Sequence, residues 1–516
     1  MDISIFDVLG PVMIGLSSSH TAGAARLSRS AREIVKGDIA HISFGLYGSF
    51  AETYKGHGTD KALLAGALGL KEDDEGIVNV YELARQRGME YDFYKAELNN
   101  VHENTVKMTI KKKDGSVTDI IGSSIGGGQI LITSIDGYEM ELSLQCPTIV
   151  IMQYDRKGLV TQISGIMTRH NINIANMKLI RKGKGDIACC IIETDETIPE
   201  DVEVSIQNNI NVVYARVINI QLTEGKYMYG SIKELTELAK KESVPIWKII
   251  LDTEMKITEC SEEQVYDKLD KRYEVMYKSV HKALQEPQVI TGNLISGSAK
   301  KQYEYSEQQD TLGGFLINHI MALALSASEV NASMGKICAA PTAGSCGILP
   351  AVIIGVSEHY GLSRKDTLNG LLTASGIGTV VINNATVSGA EGGCQAECGV
   401  AAAMAAAAVV QMRGGTPDMI GDVISLTLMN CMGLICDPVA GLVQVPCAQR
   451  NASQAVNAIT SADMILGGMT IPIPADEVIG AMYNVGRQLP VELKETALGG
   501  IAATPTGKHI REEIFK

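Results

Sequence analysis

The spacing of apolar positions changes character along the chain, and three regions follow from it. Between residues 21 and 35 the run TAGAARLSRSAREIV returns an apolar residue every three or four positions, the period of a helix with one buried face. Further on, NTVKMTIKKKDGSVTDIIGSSIGGG alternates apolar and polar residues, the period of strands. Residues 1–145 are therefore expected to form an α/β domain. From Cys146 to Leu222 the order becomes strand (PTIVIMQYD), helix (KGLVTQISGIMTRH), two strands (INIANMKLIR, DIACCIIET), helix (PEDVEVSIQNN) and strand (VVYARVINIQL). That βαββαβ order predicts a compact ferredoxin-like sandwich over 146–223. After TEGKYMYGS the pattern is helical almost to the end, so 224–516 is read as an all-α domain, broken by the glycine-rich stretches PTAGSCG, SGAEGGCQ, CDPVAG and ATPTGK. The fold class expected is thus multidomain: α/β, then βαββαβ, then all-α.

Length supports that division, because 516 residues exceed what one hydrophobic core usually spans. Aromatic residues make up only 5%, so aliphatic and alanine packing must dominate. A net charge of -14 removes nucleic acid from the expected partners, since phosphate backbones are bound by clustered Lys and Arg. The N-terminus MDISIFDVLG lacks the basic and apolar regions of a secretion signal, and GVAAAMAAAAVVQM is too short and alanine-rich to span a bilayer. A cytoplasmic protein without a membrane partner is expected. Eleven cysteines then read as reduced thiols or metal ligands rather than a disulfide framework.

Two histidine stretches carry candidate chemistry. GLSSSHTAGAARL sets Ser17, Ser18, Ser19, His20 and Thr21 before a helix, where free N–H groups favour a carboxylate or phosphate; the plainer alternative is one Ser capping the helix. YKGHGTDKALLAGALG places His57 between two glycines, with Thr59 or Asp60 free to cap a following helix. Beside a helix N-terminus the imidazole would stay neutral and able to accept a proton; a plain loop histidine is the alternative.

Seven cysteines fall in the last third: Cys338, Cys346, Cys394, Cys398, Cys431, Cys436 and Cys447. The spacing of Cys394 and Cys398 suits neither the close pairs of a zinc site nor a thioredoxin-like C-x-x-C. An Fe–S cluster drawing thiolates from separate loops is one reading, with Cys394, Cys436 and Cys447 beside Gly or Pro; burial as small apolar residues is the other, and suits Cys338, Cys346, Cys398 and Cys431.

These stretches resemble the iron–sulfur L-serine dehydratases over nearly the whole chain. SIFDVLGPVMIGLSSSHTAGAARL and GHGTDKALLAGALG look like the family's β portion. EVNASMGKICAAPTAGSCGILPA, SGAEGGCQAECG, CDPVAGLVQVPCAQRN and ETALGGIAATPTG look like its α portion, so the two portions are fused here. The resemblance implies a 4Fe–4S cluster on Cys394, Cys436 and Cys447, with one iron lacking a cysteine and acting as Lewis acid on L-serine. It implies His57 as the base at Cα, Ser17 to Thr21 as substrate contacts, and Thr342, Ala343, Gly344 and Ser345 of PTAGS completing the pocket. Pyruvate and ammonia would be the products. The middle segment, with DRKGLVTQISGIMTRHNINIANM, looks like an ACT domain; that likeness implies an amino-acid effector near Asp155, Gly158 and Asn173, and a homodimer or higher homo-oligomer. Some single-chain relatives end in a cysteine that reaches the open iron, whereas this sequence ends HIREEIFK, so tail-ligand autoinhibition is not carried over. Two other readings compete: a pyridoxal-phosphate dehydratase using Lys300 or Lys301 with PTAGSCG as phosphate loop, and a non-catalytic amino-acid sensor.

Overall fold

The computed structural model describes residues 3–126, 128–144, 146–219 and 228–516; the expected boundaries at 145 and at 223–224 fall outside them. A six-stranded mixed sheet organises the N-terminal region, with strands in the order Glu90–Lys95, Ile39–Leu46, Thr105–Lys112, Val117–Gly126, Gln129–Ile135 and Tyr138–Leu142. Only its first pair is parallel. Helix Ala24–Val35 lies on this sheet because Leu27, Ala31 and Ile34 recur on one face, where they join Ile42, Phe44, Ile120 and Ile132 in a common core.

The expected βαββαβ order is present. Its sheet runs Val212–Ile218, Thr148–Tyr154, Ile187–Thr194, Ile174–Arg181, all antiparallel, with helices Leu159–Arg169 and Glu200–Gln207. Residues 220–222 of the last expected strand lie outside the described residues. Successive residues of one strand serve two cores. Ile149 and Ile151 pack under the unit's own helices, whereas Val150 and Met152 join the core of the six-stranded sheet. Burial on both faces is why TIVIMQY reads as an unbroken apolar run rather than an alternating one.

The C-terminal region is helical, built around Gly314–Ala332, Ile348–Tyr360, Arg364–Asn384, Val400–Met412 and Cys447–Leu466. Residues Val400–Val410 are all buried, and their alanines let neighbouring helices approach closely. Residues 395–412 are apolar and long enough to cross a membrane by length and composition, yet 83% of that window is buried inside the protein. The chain's beginning belongs to this helical region: Ile3, Ile5, Val8 and Leu9 sit in its core. Ser4 Oγ donates to Glu254 Oε1 (2.6 Å), and Val12–Ile14 pairs antiparallel with Lys336–Cys338. The N-terminal and C-terminal portions are therefore interleaved, and the segment after Ile14 is drawn across their junction.

Candidate active site

At that junction one cavity with about 390 Å3 of empty space is lined by Ser17, His57, Gly344, Cys394, Cys436 and Cys447, together with Glu397, Cys398, Arg450 and Glu495. Residues hundreds of positions apart thus share one wall. Ser17 caps the turn Ser18–Gly23, its Oγ accepting from His20 N at 3.1 Å, and that turn, wound wider than an α-helix, runs on into Ala24–Val35. Ser18, Ser19, His20 and Thr21 are buried behind Ser17 rather than on the cavity wall. Thr21 ties the two histidine stretches together: its Oγ1 donates to His57 O (3.0 Å) and accepts from Leu16 N (3.1 Å).

His57 is the last residue of helix Gly48–His57, followed by Gly58 in the left-handed region (φ 67°), where glycine carries no Cβ penalty. Helix Thr59–Ala67 begins two residues later, so His57 also lies beside the expected helix N-terminus, but Gly58 is the N-cap there and neither Thr59 nor Asp60 makes the expected cap. A helix C-terminus would favour the imidazolium. Burial wins instead, pushing the His57 pKa down to about 3. Both ring nitrogens lack a hydrogen-bond partner among the described residues. A buried imidazole left unpaired costs about 1–3 kcal/mol, so the cavity it lines is where a partner must come from.

His20 stands edge-on to His57 with ring centroids 4.4 Å apart. Its tautomer follows from its neighbours. Ser49 Oγ donates its only proton to Glu495 O (2.8 Å) and so must accept from His20 Nε2 (2.9 Å), which leaves Nδ1 facing Ser17 Oγ (3.3 Å) and Glu495 Oε1 (3.4 Å). Burial lowers the His20 pKa and raises that of Glu495, so both charged forms are disfavoured where the two side chains meet. Glu495 is held at φ 62°, an uncommon conformation for a residue with a side chain.

The cysteines come from three segments. Cys394 precedes the turn Gln395–Gly399; Cys436 exchanges backbone hydrogen bonds with the 493–495 segment; Cys447 opens helix Cys447–Leu466 rather than sitting in a loop. Gly389 passes so close that a Cβ there would lie 3.4 Å from Cys436 Sγ and against the Glu397 carboxylate. Cys398, expected to be packing alone, also reaches the cavity, its Sγ 3.3 Å from that of Cys394. Burial pushes the thiols of Cys436 and Cys447 up. The hydrogen bond with Cys398 lowers the pKa of the Cys394 thiol instead, and Arg450 lowers it further. Three thiols gathered beside the Arg450 guanidinium fit an iron–sulfur cluster, in which iron would replace the protons and Arg450 would offset the charge. Arg450 is itself anchored on Asp437 (2.9 Å) and Ile435 O (2.7 Å).

Of PTAGS, Gly344 lines the cavity; Thr342 hydrogen-bonds Glu397 and meets Ser345 Oγ at 3.0 Å, while Ala343 packs with Met13 and Cys346. Burial raises the Glu397 pKa to about 7. Glu397, Glu495, Ser49 and Arg450 were not singled out from sequence. Glu397 had a signal, as a lone carboxylate leading into a long apolar run; Ser49 had none. Lys300 is half-buried and Lys301 exposed on helix Ser298–Ser306, and neither lines the cavity, which leaves the pyridoxal-phosphate reading without its Schiff-base lysine. Asp155 accepts from Arg181 Nη1 (2.8 Å), Asn173 N donates to Glu196 Oε2 (2.8 Å), and Gly158 starts helix Leu159–Arg169; Gly158 and Asn173 are exposed, well apart from the cavity lining.

Comparison with known proteins finds two family matches along the chain. Residues 4–89 match the serine dehydratase beta chain family and residues 241–502 the serine dehydratase alpha chain family. The probable L-serine dehydratase alpha chain of Bacillus subtilis (strain 168) is 46% identical over 288 residues, 56% of this chain and 96% of its own length. The probable beta chain from the same organism is 41% identical over 199 residues, 39% of this chain and 90% of its own. L-serine dehydratase 2 of Escherichia coli (strain K12) is 27% identical over 530 residues, 97% of this chain and 98% of its own.

Proposed function

The chain belongs to the serine dehydratase family, with the beta and alpha portions joined in one polypeptide, and from that premise we propose that it converts L-serine to pyruvate and ammonia. The observation that carries the reading is the meeting of Cys394, Cys436 and Cys447 with an unpartnered, neutral His57 on one enclosed cavity. A 4Fe–4S cluster on those three thiolates supplies, when bound, an iron without a cysteine as Lewis acid toward the substrate's hydroxyl and carboxylate.

The chain's own residues do the rest. His57 takes the α-proton on an unpartnered ring nitrogen; the C–H pair forms the Cα=Cβ bond as the Cβ–O bond breaks, and the departing hydroxide takes up the proton held by His57 to leave as water, returning the ring to its neutral form. The 2-aminoacrylate released tautomerises to an imine that water hydrolyses to pyruvate and ammonia. Ser17 Oγ and the Gly344 backbone bind the substrate's polar groups, while Leu16, Pro438 and Val443 keep bulk water out. Thr21 and Ser49 hold the two histidines in register. The βαββαβ unit is read as an ACT domain that takes an amino-acid effector near Asp155, Gly158 and Asn173 and pairs copies of the chain, and cysteines without a disulfide among the described residues suit the cytoplasm.

Anaerobic purification, iron and sulfide analysis, and a pyruvate assay on L-serine test the reading together. Iron and sulfide in equal amounts with pyruvate formation are expected. Iron-free protein that still forms pyruvate and is inactivated by borohydride would sink it.

A further inference from the structure

A second space, partly open to solvent at Ser116 and Val117, with about 180 Å3 that a water-sized sphere can occupy, lies where the six-stranded sheet meets the four-stranded one. It is far larger than the ~15 Å3 that one water needs. Its walls are the end of helix Ala24–Val35 (Ile34, Val35), Lys112 and the hairpin after it, Asp136, and Tyr214 and Arg216 of strand Val212–Ile218.

Polar groups here are left over. The Tyr214 hydroxyl and Arg216 Nε are both buried and have no hydrogen-bond partner among the described residues. Arg216 Nη1 is spent on Ala215 O (2.6 Å), and its guanidinium lies 5.2 Å from the centre of the Tyr214 ring. Burial and Asp136 both raise the Tyr214 pKa, so the phenol keeps its proton and can only gain by donating it. Asp136 is fixed from behind, Oδ1 accepting from Asp119 N (2.9 Å) and its carbonyl from Lys182 Nζ (3.0 Å). Buried donors without acceptors are rare in finished protein interiors. Here they face a space that also holds the Asp136 carboxylate and the Lys112 ammonium, which stands 3.3 Å from Asp114 Oδ2 at its solvent edge.

We propose that this seam binds a small α-amino acid as its zwitterion, with Arg216, Tyr214 and Lys112 on the carboxylate and Asp136 on the ammonium. A simple anion would meet the cations but be repelled by Asp136, whereas a zwitterion satisfies both poles. The site is separate from the cysteine cavity and from the exposed edge at Asp155 and Asn173. It lies at the far end of the helix whose near end leads into the His20 turn.

Hydrogen–deuterium exchange on the intact, anaerobically purified chain, with pools covering the proteinogenic amino acids at millimolar concentration, tests it. At least one pool is expected to slow exchange in 112–118 and 212–218, and inorganic phosphate is not. Tyr214→Phe should weaken that protection roughly tenfold, the worth of one buried hydrogen bond to a charged group, and Arg216→Gln should abolish it. Protection confined to the cysteine cavity, equal protection by phosphate, or protection unchanged in both variants would each overturn the proposal. The outcome does not depend on iron content or on pyruvate formation, so it stands or falls apart from the dehydratase reading.

Discussion

His57→Gln keeps a polar side chain of similar size and removes the base. Turnover of L-serine should fall about 10²–10⁴-fold with iron content unchanged; a variant that keeps wild-type kcat would exclude His57 as the base. The depressed pKa of His57 also has a stability consequence. The folded chain holds the ring neutral down to about pH 3, whereas the unfolded chain protonates it near 6.5. Stability tied to the neutral ring is therefore complete above about pH 6.5 and is lost as pH falls toward 3. By about pH 5 the loss should reach about 2 kcal/mol. Denaturant midpoints at about pH 7 and about pH 5 should fall further apart in wild type than in His57→Gln. Among the thiols, Cys436→Ala should purify without iron, while Cys398→Ala should retain it; iron analysis of the two decides whether the cavity wall at Cys398 is a ligand or a neighbour.

Helix Thr59–Ala67 crosses helix Ala24–Val35 at Gly66, where a Cβ would run into the Ala25 carbonyl and within 2.7 Å of Arg29 N. These are the helices that follow His57 and the His20 turn, so the crossing sets the distance between the two imidazoles. Gly66→Ala should force them apart at a cost of about 1–3 kcal/mol, seen as a lower thermal midpoint and reduced pyruvate formation; an unchanged midpoint would mean the contact yields without strain. Most of the elements were readable beforehand. The helix over 24–35 and the βαββαβ series follow from 3.6- and 2-residue periods, which depend only on neighbours in the chain. GHGTD marks the helix that begins at Thr59, after His57, but only the backbone trace shows that a second helix, Gly48–His57, ends on the same histidine.

On the scale of the whole molecule, the cavity is closed by the apposition of two portions: Ser17 and His57 from one, the cysteines, Glu397 and Glu495 from the other. Removing the cluster should loosen that apposition. Apoprotein prepared by chelation should exchange amide hydrogens faster in 15–23 and 492–497 than cluster-loaded protein, with strand Ile187–Thr194 unaffected; a uniform increase over the chain would instead mean general unfolding.

The elements, their order and the family motifs are legible in the sequence, because each is written in local spacing or in contiguous stretches, and it is the family resemblance that singles out Cys394, Cys436 and Cys447. What surrounds each group comes from contacts between distant parts of the chain. The tertiary structure brought Glu495 to His20, put Cys398 on the cavity wall, made His57 neutral by burial against the pull of its own helix, and left Tyr214 and Arg216 without partners at the seam. Proton affinity and hydrogen-bond satisfaction depend on distances between residues far apart in the chain, and those distances are absent from a one-dimensional pattern.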